Sequence, residues 1–597
     1  IKNIMINIFN IFKEQFITSL NKISKDLKIE ITEELLKNII VEPTKDNKHG
    51  DLACNIAMVM IKNFVESDIK NPRQLAQIII DNLSKQYITN IDIAGPGFIN
   101  IKIKNELLHY VICEVVNNQK IILDNIGKGI KVNLEYASPN PTGPIHVGHT
   151  RGSIYGDVLA NLLKRVGYDV LREYYINDAG SQILTLLKSA YLRYLQACGQ
   201  DVEIGEGLYP GQYLVSIGED IKTKFGLKLQ DLDEDKALLE IRDFVVESMI
   251  EIIKKDLSSL GIKHDSYFSE KKNLHDNNKI KESINILRQK NLVYEGFIEA
   301  PLTKKGQQQA NVEKQTLFKS TQFGDDQDRV VLKSNGDPTY FAGDIAYSKS
   351  KIERGAKILI MPLGYDHAGY VKRLTAVTKA LSNDEVQMKI ILCQLVKFVK
   401  DDKPLKMSKR AGNFITAKQV IDEIGPDVLR FMMLSRKNDV PFDFDLAKVV
   451  DQSKDNPVFY VQYAHARCCS ILRNLEKDNL HFYTKIIDLI EQGKCKSLNL
   501  LQDNSEIELM IKIANFPRII EASVRSYEPH RIAFYLQELS AIFHSLWNKG
   551  NDNKSLKFII EDNFDLTCAR IFLVFAIKNI IANALEIFSI KAIEEMK

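Results

Sequence analysis

Alternating apolar and polar residues predict a strand that enters a proline-rich stretch, and a helix that leaves it. The stretch is 139–149, Pro-Asn-Pro-Thr-Gly-Pro-Ile-His-Val-Gly-His. The strand pattern consists of Val132, Leu134 and Tyr136, and the helix pattern of Val147, Ile154, Val158 and Leu162. The N–H groups and positive dipole end of such a helix favour an anion. Since phosphate is the usual anion of nucleotide enzymes, we expect a phosphate-binding turn here.

The same alternation of strand and helix patterns continues through the middle of the chain. Strand patterns fall at 170–176, 328–333, 357–363 and 388–399, with helix patterns between them. This order predicts an α/β fold, in which helices cover a parallel sheet. Residues from about 199 to 300 are polar and weakly patterned, so we interpret them as a partly helical insertion. Residues 400–413 are predicted to form a loop.

The first 118 residues predict a small α+β module. Helix patterns cover about 5–25, 52–66 and 105–118, and Asp51 lies near the start of the second. Two short strands are expected on either side of Gly95-Pro-Gly97.

From Pro426 onward the pattern is almost entirely helical, so residues 451–597 are interpreted as a separate helical bundle after a central domain at 119–450. Helix patterns fall near 507–527, 529–548 and 565–587. One long helix has an apolar face formed by Val461, Ala464, Cys468, Ile471 and Leu475. Gln462, His465 and Arg467 are expected to point away from that face.

Composition excludes several classes of protein. The chain has 597 residues, 45% of them hydrophobic and 26% charged, which is typical of a globular protein with several cores. No apolar run of eighteen residues is free of charge, so we expect a cytoplasmic protein without a membrane span. The eight cysteines form no Cys-x-x-Cys pair, which argues for reduced thiols and against a zinc ribbon. The net charge of +3 means that nucleic acid would need local basic patches.

Two histidines and two lysines are the first candidates for chemistry. His146 and His149 are three residues apart and share a helix face, where their imidazole N–H groups could contact a phosphate. Zinc binding and a structural role are the alternatives, and zinc lacks a third ligand at helical spacing. Lys406 and Lys409 lie in the predicted loop. They form either a solvated charge run or a clamp that stabilises negative charge on departing pyrophosphate.

Carboxylates near predicted strand ends are the second set of candidates. Glu135 ends the first strand, and Asp344 follows Tyr340 by four residues. At the carboxyl edge of a parallel sheet, such groups could bind a cationic side chain. Ordinary surface or helix-capping carboxylates are the alternative. Asp366 and His367 follow the strand that ends at Gly364, where they could meet a ribose hydroxyl.

The motifs together resemble those of class I aminoacyl-tRNA synthetases. His146-Val-Gly-His149 and Lys406-Met-Ser-Lys409 match the two signatures of that class. From end to end, the chain resembles the arginyl-tRNA synthetase family in particular. The further matching stretches are Gly50-Asp-Leu-Ala-Cys-Asn55, Glu135-Tyr-Ala-Ser-Pro-Asn140, Tyr175-Ile-Asn-Asp-Ala-Gly180, Phe323-Gly-Asp-Asp-Gln-Asp-Arg329 and Tyr460-Val-Gln-Tyr-Ala-His-Ala-Arg467.

This resemblance implies a Rossmann-type catalytic domain, an N-terminal module that contacts the tRNA elbow, and a C-terminal bundle that reads the anticodon. It implies activation of L-arginine by ATP, followed by transfer to the terminal adenosine of tRNA(Arg). Magnesium would accompany ATP without a dedicated set of protein ligands, no zinc is expected, and we expect a monomer.

The resemblance also assigns roles to individual residues. Those expected to stabilise the phosphates are His146, His149, Lys406 and Lys409. The other ATP contacts are expected from Pro139, Gly148, Gly364, Asp366, His367, Met407 and Ser408. Arginine is expected to be bound by Glu135, Ser138, Asn140, Tyr340 and Asp344, with Glu135 and Asp344 on the guanidinium and Tyr340 packed against it.

One departure and two alternatives stay open. Some members of the family have a glutamine shortly after the region of Asp366 and His367, where this chain has Ala-Gly-Tyr370. A contact to an α-group of the substrate is therefore absent or replaced by Tyr370. The alternative functions are a methionyl or other class I synthetase, and a non-catalytic tRNA-binding paralogue.

Overall fold

A computed structural model describes residues 4–44, 46–64, 66–297, 314–400, 403–404, 415–446, 448–450 and 456–596. The N-terminal part is built on an antiparallel sheet in the order β1-β2-β4-β3. Its elements are α1 (Ile8–Asp26), α2 (Glu33–Lys37), β1 (Val41–Pro43), β2 (Leu52–Cys54), α3 (Ile56–Met60), α4 (Pro72–Asp81), β3 (Ile88–Ala94), β4 (Phe98–Ile103) and α5 (Asn105–Asn117). The predicted pair of strands about Gly95-Pro-Gly97 and the helix near 105–118 are confirmed.

The helix predicted over 52–66 is wrong at its start. Residues 52–54 form β2, and helix begins only at Ile56. Asp51 does not cap that helix. Its carboxylate accepts a hydrogen bond from the Ile103 N–H at 2.9 Å and pairs with the Lys102 ammonium at 2.7 Å. Asp51 therefore stabilises the sheet.

The middle of the chain contains a five-stranded parallel sheet in the order β12-β11-β5-β6-β7, as the strand–helix alternation predicted. The elements of this part up to the last strand of the sheet are β5 (Lys131–Glu135), α6 (Thr150–Arg165), β6 (Asp169–Ile176), α7 (Ser181–Ala197), α8 (Tyr213–Phe225), α9 (Glu234–Ser259), β7 (Ser266–Ser269), α10 (Lys279–Gln289), β8 (Val293–Gly296), β9 (Gln315–Phe318), β10 (Arg329–Leu332), α11 (Tyr340–Glu353), β11 (Ile358–Gly364), α12 (Tyr370–Ser382) and β12 (Gln387–Cys393).

Beyond β12 the chain leaves this sheet. The elements that follow are β13 (Val396–Lys400), β14 (Lys403–Pro404), α13 (Ala417–Ile424), α14 (Pro426–Leu434) and β15 (Phe442–Asp445). Strand β13 pairs with β14 and β15 in a small separate sheet. The single strand predicted over 388–399 is therefore two strands, and the helical pattern after Pro426 is interrupted by β15.

Two further predictions about the middle of the chain need correction. The insertion predicted over 199–300 includes β7, which pairs with β6 as an edge strand of the main sheet. The strand predicted at 328–333 is present as β10, but it pairs antiparallel with β9 in a separate sheet. Both strands are four residues long, and pairing partners far apart in sequence decide which sheet they join.

The C-terminal part is a helical bundle. Its helices are α15 (Pro457–Asp478), α16 (Leu480–Glu491), α17 (Asn504–Ala514), α18 (Phe516–Ser526), α19 (His530–Asp552) and α20 (Phe564–Ile587). The predicted apolar face of α15 is buried, but Gln462 and His465 are buried too. They bind the backbone of the segment after α20, with Gln462 Nε2 donating to Lys591 O at 2.8 Å. Among the described residues, α20 is long and apolar enough to span a membrane, but 83% of its most apolar stretch of 18 residues is buried inside the protein.

One hydrophobic core runs through all three parts. It joins residues of α1, the parallel sheet, α14 and the bundle. Buried polar contacts cross the same boundaries. The Arg430 guanidinium on α14 pairs with Asp157 on α6 at 2.5 Å and donates to Leu260 O at 2.7 Å and to Phe588 O. The main sheet and the bundle are therefore held in a fixed relation by packing and by a fully buried ion pair.

Candidate active site

The carboxyl ends of β5 and β11 lie at one edge of the parallel sheet, because the two strands pair in parallel register. After β5, Ala137 adopts a φ of +52°, and the chain turns away from the sheet. A 3-10 turn at Val147–His149 then leads into α6. The predicted strand-to-helix turn is confirmed, and it lies where open α/β sheets bind their ligands.

His146 and His149 are brought together by this turn. Their rings are stacked, with centroids 3.6 Å apart. Gly148 between them has little room: a Cβ there would lie 3.0 Å from two atoms of the His146 ring. Glycine therefore lets the His146 ring fold across the turn, and the two imidazoles form one compact face beside the start of α6.

The histidine turn is tied to the segment that follows the predicted loop. Val147 N–H donates to Ile415 O at 3.1 Å, and Ala417 N–H donates to Ile145 O at 2.8 Å. His146 and Thr416 are paired as an isolated bridge. The predicted phosphate-loop residues Lys406, Met407, Ser408 and Lys409 lie outside the described residues. Ile415 and Thr416, which follow those residues, lie against the backbone of His146 and Val147.

An acidic cluster lies on the same side of the sheet. Burial raises the pKa of Asp344 to about 7, and the charges of Glu135 and Glu270 contribute to this rise. Glu270 also accepts a hydrogen bond from the Tyr175 hydroxyl, whose pKa is raised by burial and by this contact. Three carboxylates thus share a space from which water is largely excluded. Such a cluster favours a bound cation, because the cation relieves both the desolvation and the mutual repulsion.

Glu135 differs from the other two carboxylates. Its Oε2 atom lies 2.6 Å from the Lys351 ammonium, and both side chains are buried. Lys351 also lies 4.0 Å from the centroid of the Tyr347 ring. The charge of Glu135 is therefore balanced within the protein, whereas Glu270 is paired with an imidazole, His275 Nε2 at 3.2 Å, which carries a charge only when it is protonated.

A fourth carboxylate, Glu173, is buried near the cluster. Glu173 on β6 accepts hydrogen bonds from the Tyr347 hydroxyl at 2.8 Å and from Asn133 at 3.0 Å, and the two terminal nitrogens of Arg354 also donate to it. Burial opposes its ionisation, but these partners hold its pKa below the ordinary value. The hydrogen bond to Glu173 and the contact with the Lys351 ammonium hold the Tyr347 ring between these two groups.

The residues between β5 and the histidines are held by β6 and α7. Ser138 Oγ accepts a hydrogen bond from Tyr175 N–H at 3.0 Å. Asn140 Nδ2 donates to Gln182 Oε1 at 2.8 Å. Pro139 O accepts from the Tyr174 hydroxyl at 2.6 Å. These hydrogen bonds hold the segment that is predicted to bind the amino acid.

The end of β11 supplies the next predicted residues. A Cβ at Gly364 would collide with Asp366 Oδ1, so glycine is required for Asp366 to fold back. Asp366 and His367 are exposed, with side-chain atoms 3.5 Å apart. Tyr370 begins α12 and packs its ring against the Arg373 guanidinium, 4.6 Å from its centroid. Tyr370 therefore has a partner within its own helix.

The structure corrects the placement of Asp344 and adds residues that the sequence did not reveal. Asp344 lies on α11, not at a strand end, and Tyr340 one turn earlier is 81% exposed. The added residues are Glu270, Lys351 and Arg373. Lys351 could have been found, because it lies seven residues after Asp344 and thus on the same helix face. Glu270 had no such signal, since Ser269-Glu-Lys-Lys-Asn273 is typical of a polar surface segment.

The parallel sheet with its histidine turn defines the catalytic core of a class I aminoacyl-tRNA synthetase. Three family models match the chain: "Arginyl tRNA synthetase N terminal domain" at residues 10–103, "tRNA synthetases class I (R), catalytic domain" at 112–469 and "DALR anticodon binding domain" at 461–596. The chain belongs to the arginyl-tRNA synthetase family.

Individual relatives agree with this over their full length. The chain is 46% identical to the arginine–tRNA ligase of Wolbachia pipientis subsp. Culex pipiens, covering 98% of this chain and 100% of the relative. It is 47% identical to that of Brucella anthropi, covering 99% and 100%. Its fold is similar to that of the arginyl-tRNA synthetase from Plasmodium falciparum, with a TM-score of 0.74 at 18% identity over 99% of this chain and 100% of that one.

Proposed function

We propose that this chain is an arginine–tRNA ligase. The observation that carries the proposal is the carboxylate cluster of Asp344 and Glu270 at the carboxyl edge of the sheet. A guanidinium is planar, always charged and able to pair with two carboxylates at once. A methionine side chain supplies no charge to pair with these carboxylates, so the methionyl alternative is disfavoured.

The reaction has two steps. The carboxylate of arginine attacks the α-phosphate of ATP, which forms arginyl-adenylate and releases pyrophosphate. A hydroxyl of the terminal adenosine of tRNA(Arg) then attacks the arginyl carbonyl, and AMP leaves. Magnesium would enter with the phosphates of ATP and would lower their charge.

The stacked histidines suit the first step. We propose that His146 and His149 donate hydrogen bonds to the phosphates as charge develops on the leaving pyrophosphate. Lys406 and Lys409 would oppose them from the loop, with Met407 and Ser408 between them. Ile415, which follows the predicted loop, accepts a hydrogen bond from Val147 N–H, and this contact supports the pairing.

The remaining contacts divide between the two substrates. For ATP, we propose that Gly148 and Pro139 lie near the adenine, and that Gly364, Asp366 and His367 contact the ribose. For arginine, Ser138 and Asn140 would hold the α-groups, and Tyr340 would close over the guanidinium. Asp344 and Glu270 would bind that guanidinium directly. Glu135 would act beside them with its charge balanced by Lys351.

The bundle offers a surface suited to an RNA base. The Arg467 guanidinium lies 4.3 Å from the Tyr463 ring centroid and 4.9 Å from that of Trp547. His544 Nδ1 is 2.7 Å from Arg467 Nη1, and Tyr463 is 38% exposed. Aromatic rings next to a guanidinium favour stacking of an unpaired base. We propose that this cluster contacts the anticodon loop of tRNA(Arg).

We further propose that the protein is a cytoplasmic monomer.

Pyrophosphate exchange across a panel of amino acids, with and without tRNA(Arg), tests the function. We expect exchange with arginine and ATP that depends on the cognate tRNA, because closure around the tRNA end would complete the site. Exchange with methionine instead of arginine would refute the arginine assignment. A lack of exchange with every amino acid, at intact tRNA binding, would favour the non-catalytic paralogue.

A further inference from the structure

Asp178 lies just after the end of β6, and its side chain reaches the end of the neighbouring strand β7. The residue is only 6% exposed. Its Oδ2 atom accepts a hydrogen bond from the Ser269 hydroxyl at 2.5 Å, and its Oδ1 atom accepts one from Lys271 N–H at 2.8 Å. The two oxygens of one carboxylate therefore bind the residues on either side of Glu270.

The same contacts hold the π-helical turn at Lys271–His275, which follows β7. The N–H groups at the start of a helical turn have no partner within the turn. Here Asp178 accepts from the first of them, and the Ser269 hydroxyl oxygen accepts from the next, Lys272 N–H, at 3.0 Å. The start of the turn is thus bonded to β6 through the side chain of Asp178.

Glu270 extends its side chain from the start of this turn toward α11. Its Oε1 atom lies 3.2 Å from His275 Nε2, at the other end of the turn. A Cβ on Gly343, the residue before Asp344, would lie 3.8 Å from the same oxygen. The Glu270 carboxylate therefore lies beside the part of α11 that carries Asp344, and its position depends on how the turn is held.

We propose that Asp178 is a positioning residue for arginine specificity, which holds the turn after β7 so that Glu270 meets the guanidinium beside Asp344. The proposal rests on the proposed function as an arginine–tRNA ligase. Asp178 acts through Glu270 and needs no contact with the substrate. A displacement of about 1 Å is enough to weaken a contact of this kind strongly, because charge-assisted hydrogen bonds depend on alignment.

Two substitutions of Asp178 separate positioning from a loss of charge. In Asp178→Ala we expect the KM for arginine in pyrophosphate exchange to rise roughly tenfold, with little change in kcat or in the KM for ATP. Asp178→Asn should keep a KM close to that of the wild type, because the amide can still accept from Lys271 N–H and donate to the Ser269 oxygen. A KM for arginine that rises as much in Asp178→Asn as in Asp178→Ala would overturn the proposal.

A double variant tests whether Asp178 acts through Glu270. Once Glu270→Ala has removed the carboxylate, adding Asp178→Ala should raise the KM for arginine no further. The matched control is Asp51→Ala, which removes another buried carboxylate that accepts a backbone N–H, but in the N-terminal sheet. At saturating tRNA it should leave the KM for arginine unchanged.

Ser269→Ala keeps the test decisive if Asp178→Ala does not fold. It removes one of the two donors to Asp178 and should raise the KM for arginine in the wild type but not in Glu270→Ala. Effects that simply add in the double variants, or equal rises in the KM for arginine and for ATP, would overturn the role of Asp178 alone. Wild-type exchange with an amino acid other than arginine would instead refute the proposed function, and this proposal with it.

Discussion

At the scale of single residues, Asp344 is expected to make arginine binding depend on pH. Its pKa is about 7 in the folded chain, above the ordinary value of an aspartate. At pH values between the ordinary pKa of an aspartate and the raised pKa, the folded protein keeps a proton that the unfolded chain has lost. The contribution of this carboxyl to stability is therefore complete at low pH and is lost as the pH rises through about 7. Arginine binding needs the ionised form and should weaken as the pH falls below 7.

Asp344→Asn should raise the KM for arginine by roughly tenfold to a hundredfold, since a charge-assisted hydrogen bond is lost. The KM for ATP should change little, and the fall in arginine affinity below pH 7 should disappear. The melting temperature of the ligand-free variant should exceed that of the wild type at pH 8, where the wild-type carboxylate is ionised. Steady-state exchange kinetics and thermal melts between pH 5.5 and 8.5 measure these effects.

Asp366→Asn is the matched control for Asp344→Asn. We expect it to raise the KM for ATP and to spare that for arginine. If each substitution raises the KM for arginine and the KM for ATP equally, the assignment of Asp344 to the guanidinium and of Asp366 to the ribose is wrong.

Gly148→Ala tests the packing of the histidine turn. The added methyl group would lie 3.0 Å from the His146 ring and force it to move. We expect the rate of pyrophosphate exchange to fall by roughly tenfold or more, because the ring would leave its place beside the phosphates. Gly152→Ala, one turn later on α6, is the control, since no atom beyond the neighbouring helix backbone lies within 4 Å of the position that its methyl group would take. Equal losses in both variants would point to an effect on α6 in general.

At the scale of elements, Arg430 joins α14 to α6, to the end of α9 and to the residue after α20. Replacing it by methionine leaves Asp157 as a buried charge without its partner. Arg430→Met should lower the free energy of unfolding by about 3–5 kcal/mol, as is usual when one member of a buried ion pair is removed. Urea denaturation measures the loss.

The double variant Arg430→Met with Asp157→Leu is the control for charge burial. It should recover part of the lost stability, because no isolated charge is left. A double variant as unstable as Arg430→Met would show that the hydrogen bonds to Leu260 O and Phe588 O, and not the ion pair, are the important contacts.

The order of the long elements could be predicted from the sequence, but the sheet to which each short strand belongs could not. Strands β5, β6 and β11 have strong apolar patterns, and their helices follow directly. By contrast, β7 and β10 are four residues long and gain their place from partners elsewhere in the chain. For the same reason, Glu270 could not be predicted as a residue of the site. It reaches Asp344 only because β7 pairs with β6, and no local pattern marks that pairing.

At the scale of the whole molecule, tRNA is expected to touch surfaces far apart on one rigid framework. Tyr463→Ala should raise the KM for tRNA(Arg) roughly tenfold, since base stacking contributes about 1–3 kcal/mol. The KM for arginine at saturating tRNA should stay the same. Aminoacylation kinetics measure both values.

Phe534→Ala on α19 is the control for Tyr463→Ala. Phe534 is also exposed, but its ring contacts His530 rather than an arginine. We expect it to leave the KM for tRNA unchanged. If Phe534→Ala has the larger effect, the RNA-binding surface lies on another side of the bundle.

The shared hydrophobic core has a consequence for protein engineering. A chimera that exchanges the bundle for that of a relative would cut through packed side chains and through the contacts of Arg430. The graft would need α6, the end of α9, α14 and the bundle to be transferred together as one recombination block. Changes in anticodon preference are therefore more readily introduced by substitutions on the exposed faces of α15 and α19 than by exchange of the domain.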